Sequence, residues 1–263
     1  MKPYLYVAKI KILSVLAYRF DVLSTILIRC LIVVATSYFW IAAYGSHDAA
    51  FGVLKSQMLT YSIMSAVLSC ILTADVEDRI IQSVRKGNVA IDMIKPINVF
   101  GMYLAEDLGG IAVSICQNAV PVLIISSFVI QVPTPSSALN LILFLISVVF
   151  SYLINWLIAA SFSMLSFFLI SMGPLRQVKI NLIRILSGSI IPLWFFPDSI
   201  QMVLKYLPFM YLYQLPLSIY IGKWKLQDIL SQLGLQIVWI VILYLVFKLV
   251  QKKVISNVLV QGG

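Results

Sequence analysis

The feature that most limits how this chain can fold is a series of unbroken apolar runs. They lie at Val22–Tyr44, Val53–Ala74, about Leu108–Val132, within Ala138–Met172, at about Ile180–Phe196 and at Ile229–Val250. Most last about 20 residues or more, the length of a helix that crosses the hydrocarbon of a bilayer. In hydrocarbon every backbone N–H and C=O must be paired within the protein, which leaves only helices and closed barrels. A barrel would alternate apolar and polar residues over segments of about ten, and these runs do not alternate. Composition agrees: 61% of the residues are hydrophobic and 11% charged, against about a quarter charged in a soluble domain. The sequence therefore predicts an all-α, polytopic membrane protein with six transmembrane helices. The fourth run is long enough to tilt or to project from the bilayer.

Basic residues set the expected orientation. Of the 19 Lys and Arg residues, fourteen fall on one side: before the first span, between the second and third, between the fourth and fifth, and after the last. Lys55, Lys205, Lys223 and Lys225 fall on the other, and Arg29 lies within the first span. By the positive-inside rule both termini face the cytoplasm. The formal charge of +9 is then mainly a topology signal, and no nucleic-acid partner is expected. No cleavable signal peptide is expected, because the first span is too long for one and no small-residue cleavage site follows it. Residues 1–263 read as a single transmembrane domain.

Three segments carry the remaining information. Residues 1–20 place Tyr6, Ile10, Leu13 and Ala17 at helical spacing, with Lys9, Lys11 and Arg19 off that stripe. This reads as an amphipathic helix at the membrane surface, or as a simple topological anchor. Residues 75–96, DVEDRIIQSVRKGNVAIDMIKP, read as a structured cytoplasmic knuckle. Asp75 can cap a helix starting at Val76. Glu77 and Asp78 in its first turn, with Arg85 and Lys86 in its last, oppose the helix dipole. Gly87 suits the left-handed position beyond the helix. A second short helix, Val89–Ile94, must stop before Pro96. Ile80, Ile81 and Val84, continued by Ile91 and Ile94 on the second helix, then form an apolar patch that either docks a partner or packs on lipid or on the chain itself. In residues 188–222, Pro192, Pro197, Pro208 and Pro216 interrupt an apolar stretch too often for a straight span. Short helices at or dipping into the outer interface are expected, forming either a gate over a pathway or a lid without a transport role.

Single polar residues say less. Arg29, about 10 Å into the first span, is expected to snorkel to the cytoplasmic surface, with a substrate contact as the other reading. Glu106 and Asp107 are expected at the membrane interface, and Gln117, Asn118 and Asn155 as interhelical hydrogen-bond partners. Cys30, Cys70 and Cys116 lie in apolar stretches and read as small packing or lipid-facing residues. His47 beside Asp48 is not expected to hold a metal. With no P-loop, HExxH or GxSxG motif, no catalytic residue, metal site or cofactor is assigned to this chain.

The loop GNVAIDMIKPIN (Gly87–Asn98), the run SGSIIPLWFFPDSI (Ser187–Ile200) followed by LPFMYLYQLP and YIGK, and the ending VQGG (Val260–Gly263) together resemble one family. The chain is similar to the membrane subunits of type-2 ATP-binding-cassette (ABC) exporters, in the bacterial subgroup with a separate ATPase. The resemblance covers nearly the whole chain and implies a permease in the bacterial plasma membrane. That permease would pair with a second copy or a paralogue and be driven by two ATPase subunits that bind ATP and Mg. It further implies that the knuckle is a coupling helix, with Ile80, Ile81 and Val84 as apolar contacts to the ATPase and Arg79, Arg85 and Lys86 as polar ones. Residues 1–20 would be the interfacial helix. Residues 188–222 would be re-entrant helices closing the pathway, with Pro192, Pro197 and Pro208 in the outer gate. A secondary transporter or channel working without ATP is the alternative, and a non-transporting assembly or immunity subunit is a third reading. Scarce intramembrane acids and a broken segment in the second half alone weigh against the secondary transporter.

Overall fold

The computed structural model describes residues 2–16, 19–88, 91–92, 97–129, 134–169 and 171–261. Pro96, most of the expected Val89–Ile94 helix and the last two glycines lie outside them. Helix α1 (Lys2–Leu16) is followed by α2 (Arg19–Tyr44), which starts earlier than the expected first span. A two-residue hairpin, β1 (Ala49–Ala50) with β2 (Val53–Leu54), caps the end of α2. Phe51 and Gly52 at its tip have φ of 51° and 70°, the all-positive geometry of a type I′ turn. Next come α3 (Lys55–Ile71) and α4 (Val76–Arg85), the knuckle helix.

The third span is one helical column in three pieces: α5 (Val99–Ser114), a π turn (Ile115–Ala119) and α6 (Val120–Val129). It begins earlier than expected because Asn98 caps it, accepting from the Gly101 N–H at 3.0 Å. Pro121 explains the π turn: it has no N–H for the carbonyl four residues back, and the column widens there. Helix α7 (Ala138–Ser163) and a 3₁₀ turn (Met164–Phe167) make the fourth span. Ser137 caps it through Asn140 N, at 3.1 Å.

Among the described residues, five helical stretches are long and apolar enough to cross a membrane. The expected fifth of six is different. Helix α8 (Gly173–Leu186) has 14 residues, about 21 Å, and ends where Gly188 takes a φ of 80°. The apolar run continues through Phe196 in sequence, but the helix cannot pass the left-handed glycine and Pro192. Short elements follow: a 3₁₀ turn (Leu193–Phe195), α9 (Asp198–Leu204), a second 3₁₀ turn (Pro208–Tyr211) and α10 (Gln214–Tyr220). The last helix, α11 (Leu226–Gln261), has 36 residues, about 54 Å, and outreaches a bilayer core of about 30 Å.

Helix α7 is the centre of the bundle. It packs on α11, α10 and α4, and buries Leu143, Phe144, Val148, Tyr152, Trp156 and Ala160. A smaller cluster of Val33, Ile63, Val67, Cys70, Ala119 and Val122 joins α2 and α3 to the π turn and α6. Helix α1 lies against α5. A Cβ at Gly109 would sit 2.6 Å from the Ala8 carbonyl, so only glycine lets the two backbones approach this closely. On α1, Tyr6, Ile10 and Leu13 face away from the chain, leaving the expected apolar stripe free for lipid.

Candidate functional site

The knuckle is held by ion pairs that its sequence pattern does not disclose. Helix α4 starts at Val76 as expected, but the Asp75 side chain makes no cap bond. It is drawn instead to Lys11 on α1, at 2.9 Å. The cap comes from another helix: the Asp107 carboxylate of α5 accepts from the Val76 N–H at 3.2 Å. Asp107 is only 3% exposed. Glu77 and Asp78 not only oppose the dipole of α4 but bind α8. Arg176 donates to both oxygens of Asp78 at 2.6 and 2.7 Å. Lys179 pairs with Glu77, whose side chain is 4% exposed. Arg79 pairs with Glu106 of α5 at 3.0 Å. Tyr103 and Ser83 both donate to Asp92, at 2.9 and 2.7 Å. Six of the ten acids in the chain (Asp75, Glu77, Asp78, Asp92, Glu106 and Asp107) thus gather at one node, tying α4 to α1, α5 and α8.

This node orients the expected docking residues. Val76, Ile80 and Val84 repeat at helical spacing and face the chain, joined there by Ile81. Ile80 and Ile81 are 4% and 7% exposed and Val84 is half-buried. The expectation that these isoleucines present an apolar surface to a partner is corrected: α7, α5 and the 3₁₀ turn after α7 already cover them. Arg79, Gln82, Arg85 and Lys86 form the exposed face, and just beyond it Ile91 is an exposed apolar residue of the knuckle. A cavity of about 140 Å³ separates the knuckle from the last helix, lined by Ile80, Ser83, Asp92, Tyr103, Gln251 and Val254.

At the other end of the bundle the prolines begin elements rather than break them. Pro192 and Pro197 are the N-caps of the first 3₁₀ turn and of α9, and Pro208 opens the second 3₁₀ turn. Pro216 sits in the first turn of α10, where a helix has no use for its missing N–H. Gln214 ties these pieces together. Its Oε1 accepts from Tyr61 Oη at 3.0 Å and from Leu193 N at 2.9 Å, and its Nε2 donates to Ser218 at 3.2 Å. The single Tyr61 O–H is shared with the Gly188 carbonyl, which lies closer at 2.7 Å. A second glutamine, Gln236 of α11, donates to Ser147 O, Ser151 Oγ and Tyr211 O, each near 3.0 Å. Burial pushes the Tyr211 phenol up to about 12. It also lowers the Lys223 ammonium, which lies over the Trp194 ring at 4.0 Å.

A family model described as ABC-2 family transporter protein matches residues 31–262, which take in the knuckle, the proline-bearing segment and the last helix. The chain belongs to the ABC-2 transporter family. It is a type-2 ABC transporter membrane subunit, a multi-pass protein with the role of a transport permease. No curated protein sequence matches it. In this ABC-2 subunit Arg29 does not reach for the surface: its Nη1 donates to Ser69 of α3 at 3.0 Å, and its Nε is shut off from solvent. Asn155 is an interhelical partner as expected, donating to Leu72 O at 2.8 Å. Asn118 instead donates within its own column, to Ser114 at 3.3 Å. Among the described residues no group of three His, Cys, Asp or Glu could hold a metal.

Sequence reasoning missed Lys11, Asp107, Arg176 and Lys179 as members of the node, and Gln214 and Gln236 as the ties of the proline-bearing segment. Buried acids beside arginine are a recognisable signal of such a node, but the partners of Glu77 and Asp78 lie about a hundred residues away.

Proposed function

We propose that the chain is the pathway-forming half of an ATP-driven exporter, pairing with a second permease and docking two separate ATPase subunits that bind ATP and Mg. The observation that carries this reading is the node. A helix that receives force from an ATPase must be joined stiffly to the spans that move, and α4 is bolted by charge to α1, α5 and α8. Its exposed face, Arg79, Gln82, Arg85 and Lys86 with Ile91, fits a groove that carries acidic groups and one apolar pocket. On this reading the knuckle face is cytoplasmic and the membrane is the bacterial plasma membrane. The segment at 188–222, with Pro192, Pro197 and Pro208 starting its elements, closes the pathway on the far side.

The test is gentle extraction from the native membrane with a tag on this chain, followed by mass spectrometry of what accompanies it. A soluble subunit with a P-loop, present in about equal amount, is expected. Isolation of the chain alone under several detergents would remove the ATP-driven reading.

A further inference from the structure

Helix α8 has three faces. At about 100° per residue, Arg176, Lys179, Ile183 and Leu186 share one side. This side meets the rest of the chain through the ion pairs to α4 and through Ile183 and Leu186. Leu175, Val178, Leu182 and Ile185 make a second side, exposed and wholly apolar, as lipid requires. Gln177, Asn181 and Arg184 make the third, about 120° from each of the others. This third side is exposed and wholly polar. Gln177 donates to Asn181 at 3.3 Å, so the stripe is continuous. No buried residue lies anywhere on α8.

A polar stripe beside an apolar one on the same helix does not suit acyl chains. Acyl chains give it no hydrogen bonds, and a charge in hydrocarbon costs about 3 kcal/mol or more. The stripe therefore faces water or a polar surface. Arg184 lies about 12 Å along the helix from the knuckle anchor Arg176. Across from it, Arg29 of α2 reaches Ser69. Among the described residues neither arginine has a carboxylate partner. Ser65, one turn before Ser69 on α3, donates to the Ser189 carbonyl at 2.7 Å, and Ser189 donates to the Arg184 carbonyl at 3.0 Å, so both arginines stand in one region of the chain.

We propose that Gln177, Asn181 and Arg184, with Arg29 opposite, line the transport pathway and bind the anionic group of an amphiphilic substrate. Two guanidiniums without acids give the site its charge preference. The apolar wall of α2 beside Arg29, with Ile28 and Ile32 exposed, accommodates an apolar body. This proposal rests on the transport reading above and adds to it a class of substrate.

Thiol modification tests it without a known substrate. In membranes holding the whole transporter, Cys30, Cys70 and Cys116 are changed to serine and Asn181→Cys is introduced. Anionic sulfonatoethyl and cationic trimethylammonioethyl methanethiosulfonates are then compared, each normalised to its rate with a free thiol. The anionic reagent is expected to react about tenfold faster at Asn181→Cys, the concentrating effect of fixed charges in a low-dielectric cleft. Leu182→Cys, on the apolar face, is expected to resist both. Adding Arg184→Gln or Arg29→Gln should remove the preference for the anion, and Arg184→Lys should keep it. An Asn181→Cys as unreactive as Leu182→Cys, or a preference indifferent to both arginines, overturns the proposal. Copurification of the ATPase tests the transport reading separately, and its failure would leave these rates unchanged.

Discussion

Glu77→Gln is expected to loosen the knuckle more than any other single change of comparable size. Glu77 is 4% exposed and faces Lys179, which is 13% exposed, with Arg176 3.6 Å away. Removing one partner of a buried pair leaves the other charge uncompensated, at roughly 3–5 kcal/mol. Arg176 is partly open to solvent and keeps Asp78, so the lower end, about 3 kcal/mol, is the expected loss. That corresponds to a fall of roughly 6–12 °C in the thermal midpoint of the purified protein. The double change Glu77→Lys with Lys179→Glu restores opposite charges across the contact and should recover most of the loss. An unchanged midpoint for Glu77→Gln would show that the node does not hold α4.

The second large effect is expected at Gln214. Gln214→Leu keeps the volume but leaves Leu193 N without its acceptor and the Ser218 hydroxyl without its donor in a buried place, while Tyr61 keeps the Gly188 carbonyl. Each unsatisfied group costs about 1–3 kcal/mol, so about 2–4 kcal/mol is expected in all. The loss should appear locally, as faster proteolysis within 188–222. Tyr61→Phe removes one O–H shared by two acceptors, while Gln214 keeps both Leu193 N and Ser218. It should therefore cost only about 1 kcal/mol. Equal sensitivity of the two variants to protease would show that Gln214 is not the tie of this segment.

How much of this was readable in the sequence depends on how far apart the interacting residues lie. The knuckle was legible because its signals are local: the acids and bases of Val76–Arg85 sit in opposite turns, and Gly87 follows with a φ of 70°. The prolines of 188–222 were legible for the same reason. The direction of the apolar face was not. Ile80 and Ile81 give the same pattern whether they face a partner or their own core, and only the position of α7 decides it. Asp75 as a cap was a sound local inference, overridden by Lys11 on a helix 64 positions earlier. The expected fifth span, Ile180–Phe196, is not one continuous helix: α8 stops at Leu186 before Gly188 and Pro192, and Gly188 reads in sequence like any glycine in an apolar run. The stripe of Gln177, Asn181 and Arg184 was in principle visible as spacing, but its meaning needs to be known which other face of α8 is already occupied.

On the proposed function, the exposed face of α4 meets an ATPase. A photo-crosslinking amino acid at Gln82, which is exposed on that face and bears no charge, tests it in intact membranes. A crosslink to a soluble P-loop subunit is expected, about tenfold stronger than from the same group at Tyr38 on the exposed side of α2, as close and oriented contact requires. Capture of that subunit from Tyr38 as readily as from Gln82, or none from Gln82 while the subunit still copurifies, would contradict it.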